Sequence, residues 1–167
     1  MRQLTTTIYE YDELSDEAKD TALNALVDIN LHYDWYEFIY EDADRIGLTL
    51  QGFDLDRGHI EGTLQGSRHE TVEKILTEHG HTCDTYQLAL SYQLPRPETD
   101  EEEEEYQRQT EEFQQELLEE YLCILRKEYE YQGSREQVEE TIRCNGYEFN
   151  EQGGRHAHHH SQKELRP

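Results

Sequence analysis

Residues 48–66 read LTLQGFDLDRGHIEGTLQG, and the fold turns on this stretch. Two runs with apolar residues at strand spacing flank Asp56-Arg57-Gly58, a set suited to a chain reversal. Leu48 and Leu50 begin one alternation, while Phe53 and Leu55 resume it out of phase. The glycine at position 52 therefore predicts a bulge that shifts the register by one residue. On the return run, Ile60, Gly62 and Leu64 alternate with His59, Glu61 and Thr63. Residues 3–11, QLTTTIYEY, are rich in β-branched and aromatic types and predict a further strand. Together these segments predict a three-stranded antiparallel sheet, the minimum for independent stability, with one face covered by helices.

The rest of the chain has helical periodicity. Ser15 reads as an N-cap, with Asp16 and Glu17 in the first turn and Ala18, Ala22, Leu26 and Ile29 on one face, which predicts a helix to about residue 31. Asp34 reads as the next cap, before a helix over 35–46 that carries Trp35, Phe38, Ile39, Ala43 and Ile46 and closes at Gly47. Ser67 caps a helix to about 79, with Val72, Ile75 and Leu76 inward. Residues 82–94 match a helix better than a strand, and Pro95 and Pro97 stop it. Residues 98–105, ETDEEEEE, read as a solvated helix start or connection. An amphipathic helix follows over 106–131, with Phe113, Leu117, Tyr121 and Ile124 in one row flanked by Leu118, Leu122, Leu125 and Tyr129. Ser134 and Gln137 form a capping-box pattern for a last helix, and residues 147–149 suggest a short strand. The expectation is an α+β fold: a single domain over 1–151 with an acidic seam at 98–105, and a flexible His-rich tail over 152–167.

The composition narrows the partners. In 167 residues, 34% are hydrophobic and 32% charged, with 12 tyrosines and a formal charge of −24. A small core finished by tyrosines follows, their hydroxyls bonded or wet. The charge argues against direct binding to nucleic acid or anionic membranes and favours a basic partner. Cys83, Cys123 and Cys144 are odd in number and lack C-x-x-C spacing, which suggests reduced, buried or idle thiols in a cytosol-like compartment. The N-terminus has no long apolar run, so the expected location is the cytoplasm, that of a host cell if the gene is phage-encoded.

Two constellations have chemical content. Asp54 and Asp56 share a side on a regular strand, as do His59 and Glu61 on its partner, a pattern that suits a hard divalent metal or an acid–base pair. The same pattern describes the wet face of a half-buried hairpin. The second is the acidic surface of the long helix, with Glu111, Glu112, Glu116, Glu119 and Glu120 as the candidate contact residues. Carboxylates four residues apart stand about 6 Å apart along a helix. Adjacent phosphates on a DNA strand have broadly similar spacing, so such a row suits a groove built for nucleic acid on a basic protein. His156, His158, His159 and His160 form a metal-collecting tail rather than a designed site. No phosphate-binding loop, dinucleotide fingerprint, zinc-protease pair or nucleophile elbow occurs, and no catalytic nucleophile or cofactor is expected.

Residues 11–19 (YDELSDEAK), 35–43 (WYEFIYEDA), 52–58 (GFDLDRG), 117–121 (LLEEY), 127–131 (KEYEY), 139–142 (EETI) and 147–149 (YEF) resemble a family of small acidic proteins from bacteriophage and bacterial genomes, some labelled antitoxins. The likeness covers about residues 7–151. It implies a phage or mobile-element setting and brings no catalytic residues with it. The leading expectation is a phage-associated acidic protein that binds and inhibits a basic, nucleic-acid-handling host or toxin protein, as a DNA mimic, anti-defence factor or antitoxin does. Two alternatives are a metal-dependent hydrolase built on Asp54, Asp56, His59 and Glu61, and a structural phage component that dimerises through the apolar stripe of residues 113–129.

Overall fold

The computed structural model describes residues 7–93, 95, 97 and 99–156. The expectations for residues 3–6, Leu94, Glu98 and the histidines at 158–160 lie outside the described residues. In chain order the elements are β1 (Tyr9–Glu10), α1 (Asp16–Ala25), α2 (Glu37–Arg45), β2 (Leu48–Asp54), β3 (His59–Leu64), α3 (Arg68–Glu78), α4 (Asp84–Ser91), α5 (Asp100–Gln132), α6 (Arg135–Cys144) and β4 (Glu148–Phe149). The fold mixes helix with a little strand, and α5 is by far the longest element. The chain forms two compact units, Asp34–Glu130 and Met1–Tyr33 with Tyr131–Pro167.

In the Asp34–Glu130 unit, β2 and β3 form the expected antiparallel hairpin. Leu48 pairs with Leu64 and Leu50 with Gly62; the register then slips so that Gly52 faces Glu61 and Asp54 faces His59. The bulge lies where the broken alternation at Gln51-Gly52 placed it. Gly58 closes the turn with φ of 65°, a conformation that favours glycine. Gly62 has a different role. A Cβ there would lie 2.8 Å from both the Leu118 side chain and the Thr49 carbonyl, so its missing side chain lets α5 approach the hairpin.

The core of this unit joins Ile39, Ala43 and Ile46, Leu48 and Leu50 of β2, Val72 and Ile75 of α3, and Ala89 of α4 to Phe113, Leu117, Leu118, Tyr121 and Leu125 of α5. Burying one such large side chain contributes about 1.5–3 kcal/mol. The row read along α5 is therefore the core-facing stripe, with Tyr129 departing at 44% exposed. On α2, Phe38 departs from the inward face at 53% exposed. Trp35 precedes α2 and packs edge-on against Phe53 of β2 and Tyr129 of α5, at 5.9 and 5.7 Å between ring centroids. It anchors the start of α2 to the hairpin and to α5. The helix itself starts two residues later than predicted. The main-chain carbonyl of Asp34 takes the Glu37 N–H in a turn, and no side chain caps the helix. Ser67 caps α3 with a complete capping box to Glu70.

The other unit corrects the sheet. Tyr9 and Glu10 do not join the hairpin; they pair antiparallel with Phe149 and Glu148, so the described residues form two two-stranded sheets in place of one three-stranded sheet. The cause is local. The Glu10 main-chain N–H donates to the Glu13 carboxylate at 2.8 Å, and the chain turns into a 3-10 helix at Tyr11–Glu13 after only two strand residues. Tyr11, Leu14, Ala18, Ala22, Leu23, Ile29, Val138, Ile142 and Phe149 form a separate core. Glu139 is the polar hub. It accepts from the Tyr11 hydroxyl at 3.1 Å and pairs with Arg135 at 2.9 Å and Arg143 at 3.2 Å. Burial first, then Glu139, pushes the Tyr11 phenol up to about 12.

α1 ends at Ala25 rather than running to residue 31. The Leu26 N–H reaches back to the Leu23 carbonyl, tightening the last turn, and a 3-10 turn at Ile29–Leu31 follows. There Asn30 donates to the Gln132 carbonyl at 3.1 Å and accepts from Thr141 at 2.8 Å, contacts that hold this segment out of the α1 helix. Ser134 accepts from the Gln137 N–H to start α6, which is half of the expected capping box.

Candidate functional site

The hairpin residues do not assemble as a metal or acid–base centre. β2 ends at Asp54, which leaves Asp56 in the turn rather than on the strand face beside it. Asp54 turns inward on its own loop, accepting from the Arg57 main-chain N–H at 3.0 Å with the Arg57 side chain 3.6 Å away. His59 and Glu61 do meet, at 2.9 Å, but both are well exposed. Among the described residues no three or more His, Cys, Asp or Glu side chains stand close enough to hold a metal ion.

The acidic surface of α5 is more coherent. Successive helical residues differ by about 100°, so Glu112, Glu116 and Glu119 fall within roughly 60° of one another on the side away from the buried stripe, while Glu120 lies on the flank of that stripe, about 20° from Phe113. Glu111 is displaced by about 100° from Glu112 and stands at the edge of this row. Glu111, Glu112, Glu116 and Glu119 are exposed and Glu120 is half-buried. Arg108 is the cation inside the row; it bridges Glu105 and, at 3.2 Å, Glu112. Gln115 donates to Glu119 at 3.0 Å, which holds that carboxylate without neutralising it. Arg126 and Lys127 follow one to two turns later in the sequence and bound the run of uninterrupted negative charge.

A third group was not read from the sequence. Asp42 of α2 lies beside Tyr121 of α5 and His79, the residue after α3. The Tyr121 hydroxyl donates to Asp42 Oδ2 at 2.8 Å. His79 Nδ1 stands 2.7 Å from the Thr85 hydroxyl. His79 Nε2 is 3.5 Å from Asp42 Oδ2, too long for a good hydrogen bond, and it is a buried nitrogen with no hydrogen-bond partner. The His79 ring and then the Tyr121 hydroxyl hold the Asp42 carboxyl below its ordinary range, against burial, which pushes it up. Burial and the Asp42 charge push the Tyr121 phenol far up. A cavity of about 400 Å³ opens against this group, with Glu78, Asp84, Glu120 and Ile124 on its walls.

Only part of this could have been anticipated. Tyr121 sits in the apolar stripe with a hydroxyl that must find a partner, a hint of a polar neighbour. Its partner is 79 positions away in sequence, on α2. Arg68 was also missed. It is 1% exposed, stacked 4.2 Å from the Tyr106 ring, and donates to Gln109 at 3.3 Å. Cys83, Cys123 and Cys144 are free thiols, exposed rather than buried. Among the described residues no helix is long and apolar enough to cross a membrane.

No family model matches the chain, and no curated protein or solved structure matches it.

Proposed function

We propose that the chain is a non-enzymatic interaction protein that binds and inhibits a basic, nucleic-acid-handling protein through the exposed face of α5. The observation that carries this reading is the row Glu112, Glu116 and Glu119, flanked by Glu120 and presented by a helix whose opposite face is locked in the core. That packing holds the carboxylates at helical spacing before any partner arrives, so little ordering cost remains to be met on binding. A net charge of −24 steers a cationic partner toward the molecule and repels nucleic acid. The resemblance to phage and bacterial proteins labelled antitoxins adds a setting: a mobile element acting in the cytoplasm of its host. In that setting the row occupies the partner's nucleic-acid groove and inhibits by exclusion.

The test is capture by the immobilised chain from nuclease-treated bacterial lysate. Basic DNA- or RNA-binding proteins are retained at about 0.1 M salt and released near 1 M, where the Debye length falls from about 10 to about 3 Å. Double-stranded DNA displaces them, and a chain carrying Glu112→Gln, Glu116→Gln, Glu119→Gln and Glu120→Gln fails to retain them. Retention that ignores salt, DNA and these substitutions rejects the proposal.

A further inference from the structure

Five aromatic rings make one connected cluster in the Asp34–Glu130 unit. Trp35 packs edge-on against Tyr36, Phe53 and Tyr129, with ring centroids 5.4, 5.9 and 5.7 Å apart. Tyr36 also meets Tyr40 and Phe53, both at 5.3 Å. The cluster lies at the end of the hairpin's apolar face, where Phe53 pairs with Ile60. Trp35, Tyr36, Tyr40 and Phe53 back onto the core, yet none of the five rings is buried, and Tyr129 is 44% exposed. Tyrosine and tryptophan concentrate at protein interfaces, where a ring already held in place gives contact area at small entropic cost.

The charge around the rings decides what can lie on them. Tyr36, just before α2, and Tyr40 flank the buried face of that helix, and the exposed Glu37 and Glu41 each stand about 100° further round. The Tyr36 hydroxyl is 3.4 Å from Asp34 Oδ1, a third exposed carboxylate at the rim. Arg57 and Arg126 lie at the hairpin turn, Arg57 beside Asp54. Among the described residues lysine or arginine stands over the rings of Tyr11, Tyr106 and Tyr147, and over none of these five. A second copy of the chain brings the same carboxylates and a charge of −24, which opposes pairing through this surface.

We propose that the aromatic cluster is a docking surface for a basic peptide segment, whose arginine side chains lie against the exposed rings while the acidic rim meets their charge. A guanidinium plane is attracted to the faces of tryptophan and tyrosine, and the arginine stem covers apolar ring surface. Neighbouring rings at 5.3–5.9 Å leave no room for a cation between them, so the segment lies over the cluster rather than inside it. Arginine against tryptophan and tyrosine is a frequent hot-spot pairing. Glu119 stands ten residues before Tyr129, about 15 Å along α5, so the cluster is a second contact beyond the acidic row. That the segment belongs to the inhibited protein rests on the proposed function; the surface itself is testable without that protein.

The experiment titrates the full chain with Nα-acetyl-tetraarginine amide at about 0.1 M salt and follows the indole N–H signal by NMR. Trp35 is the only tryptophan, so that signal reports the cluster alone. The expected result is a saturable shift with Kd on the order of millimolar. The neutral tetracitrulline counterpart binds at least about tenfold more weakly. Tyr129→Leu weakens the arginine peptide about two- to fivefold, while Tyr129→Phe, which keeps the ring, stays within about twofold. The chain carrying Glu112→Gln, Glu116→Gln, Glu119→Gln and Glu120→Gln retains the Trp35 response. No saturable shift, equal binding of the citrulline peptide, equal loss in Tyr129→Leu and Tyr129→Phe, or a response lost with the four Glu→Gln changes overturns the proposal. An indole signal that moves with chain concentration in the absence of peptide assigns the surface to a second copy and also overturns it. A Trp35 response with failed lysate capture removes the inhibitor reading and leaves the surface; capture without a Trp35 response removes the surface and leaves the acidic row.

Discussion

Tyr121→Phe tests the buried group most cleanly, because it keeps the ring in the core and removes one hydroxyl. The lost bond runs 2.8 Å to an ionised carboxylate. Hydrogen bonds to charged groups contribute about 1.5–3 kcal/mol. Asp42 is partly open to solvent, which places the expected loss near the lower end, about 1.5 kcal/mol. With a urea m-value of roughly 1.5 kcal/mol per molar, the unfolding midpoint falls by about 1 M. Trp35 is the only tryptophan and lies in the same unit as Tyr121, so its fluorescence is a suitable reporter. The pH dependence adds a second signature. The folded Asp42 carboxyl sits below its ordinary value, so the stability it contributes is complete above the unfolded value of about 4 and is lost as pH falls through the folded value. The deficit of Tyr121→Phe is therefore the same at pH 7 and pH 5 and shrinks once Asp42 protonates. A deficit under about 0.5 kcal/mol at pH 7, or one unchanged in acid, would refute the bond as a contributor to Asp42's low value beside His79.

Other substitutions test the frame. Gly153 has φ of 83°, and a Cβ there would fall on the Ala18 carbonyl, so Gly153→Ala should destabilise the β1–β4 unit by more than about 2 kcal/mol, read as lost amide protection at Tyr9 and Phe149. Leu117→Ala opens a cavity in a fully buried site and should cost about 3–4 kcal/mol in a urea titration followed at Trp35. Ser67→Ala removes the side-chain half of the α3 capping box and should cost about 1 kcal/mol in the same assay.

The sequence was legible where one residue type had one local job. The glycine at 52 marked the bulge, Ser15, Ser67 and Ser134 marked helix starts, and the row from Phe113 marked the buried face of α5. It was less legible where partners came from far along the chain. Strand pairing is such a case. Residues 3–11 had strand character, but nothing local says whether Tyr9 pairs with the hairpin or with Phe149, and the turn at Glu10–Glu13 cuts the strand to two residues. The Asp42–His79–Tyr121 group is another, since its members lie on α2, after α3 and on α5. The hairpin that organises the sheet was read correctly as a structure and over-read as a site. Its alternating polar residues face water, and Asp54 is occupied by its own turn.

In the proposed complex the carboxylate row of α5 carries the binding energy. Isothermal titration of a captured partner against the wild-type chain and the quadruple Glu→Gln chain measures this directly. Four charge contacts at about 0.2–1 kcal/mol each predict a Kd weakened roughly 4- to 900-fold at about 0.1 M salt, with the difference largely gone near 1 M. Equal Kd values for the two chains at low salt would place the binding energy outside this row.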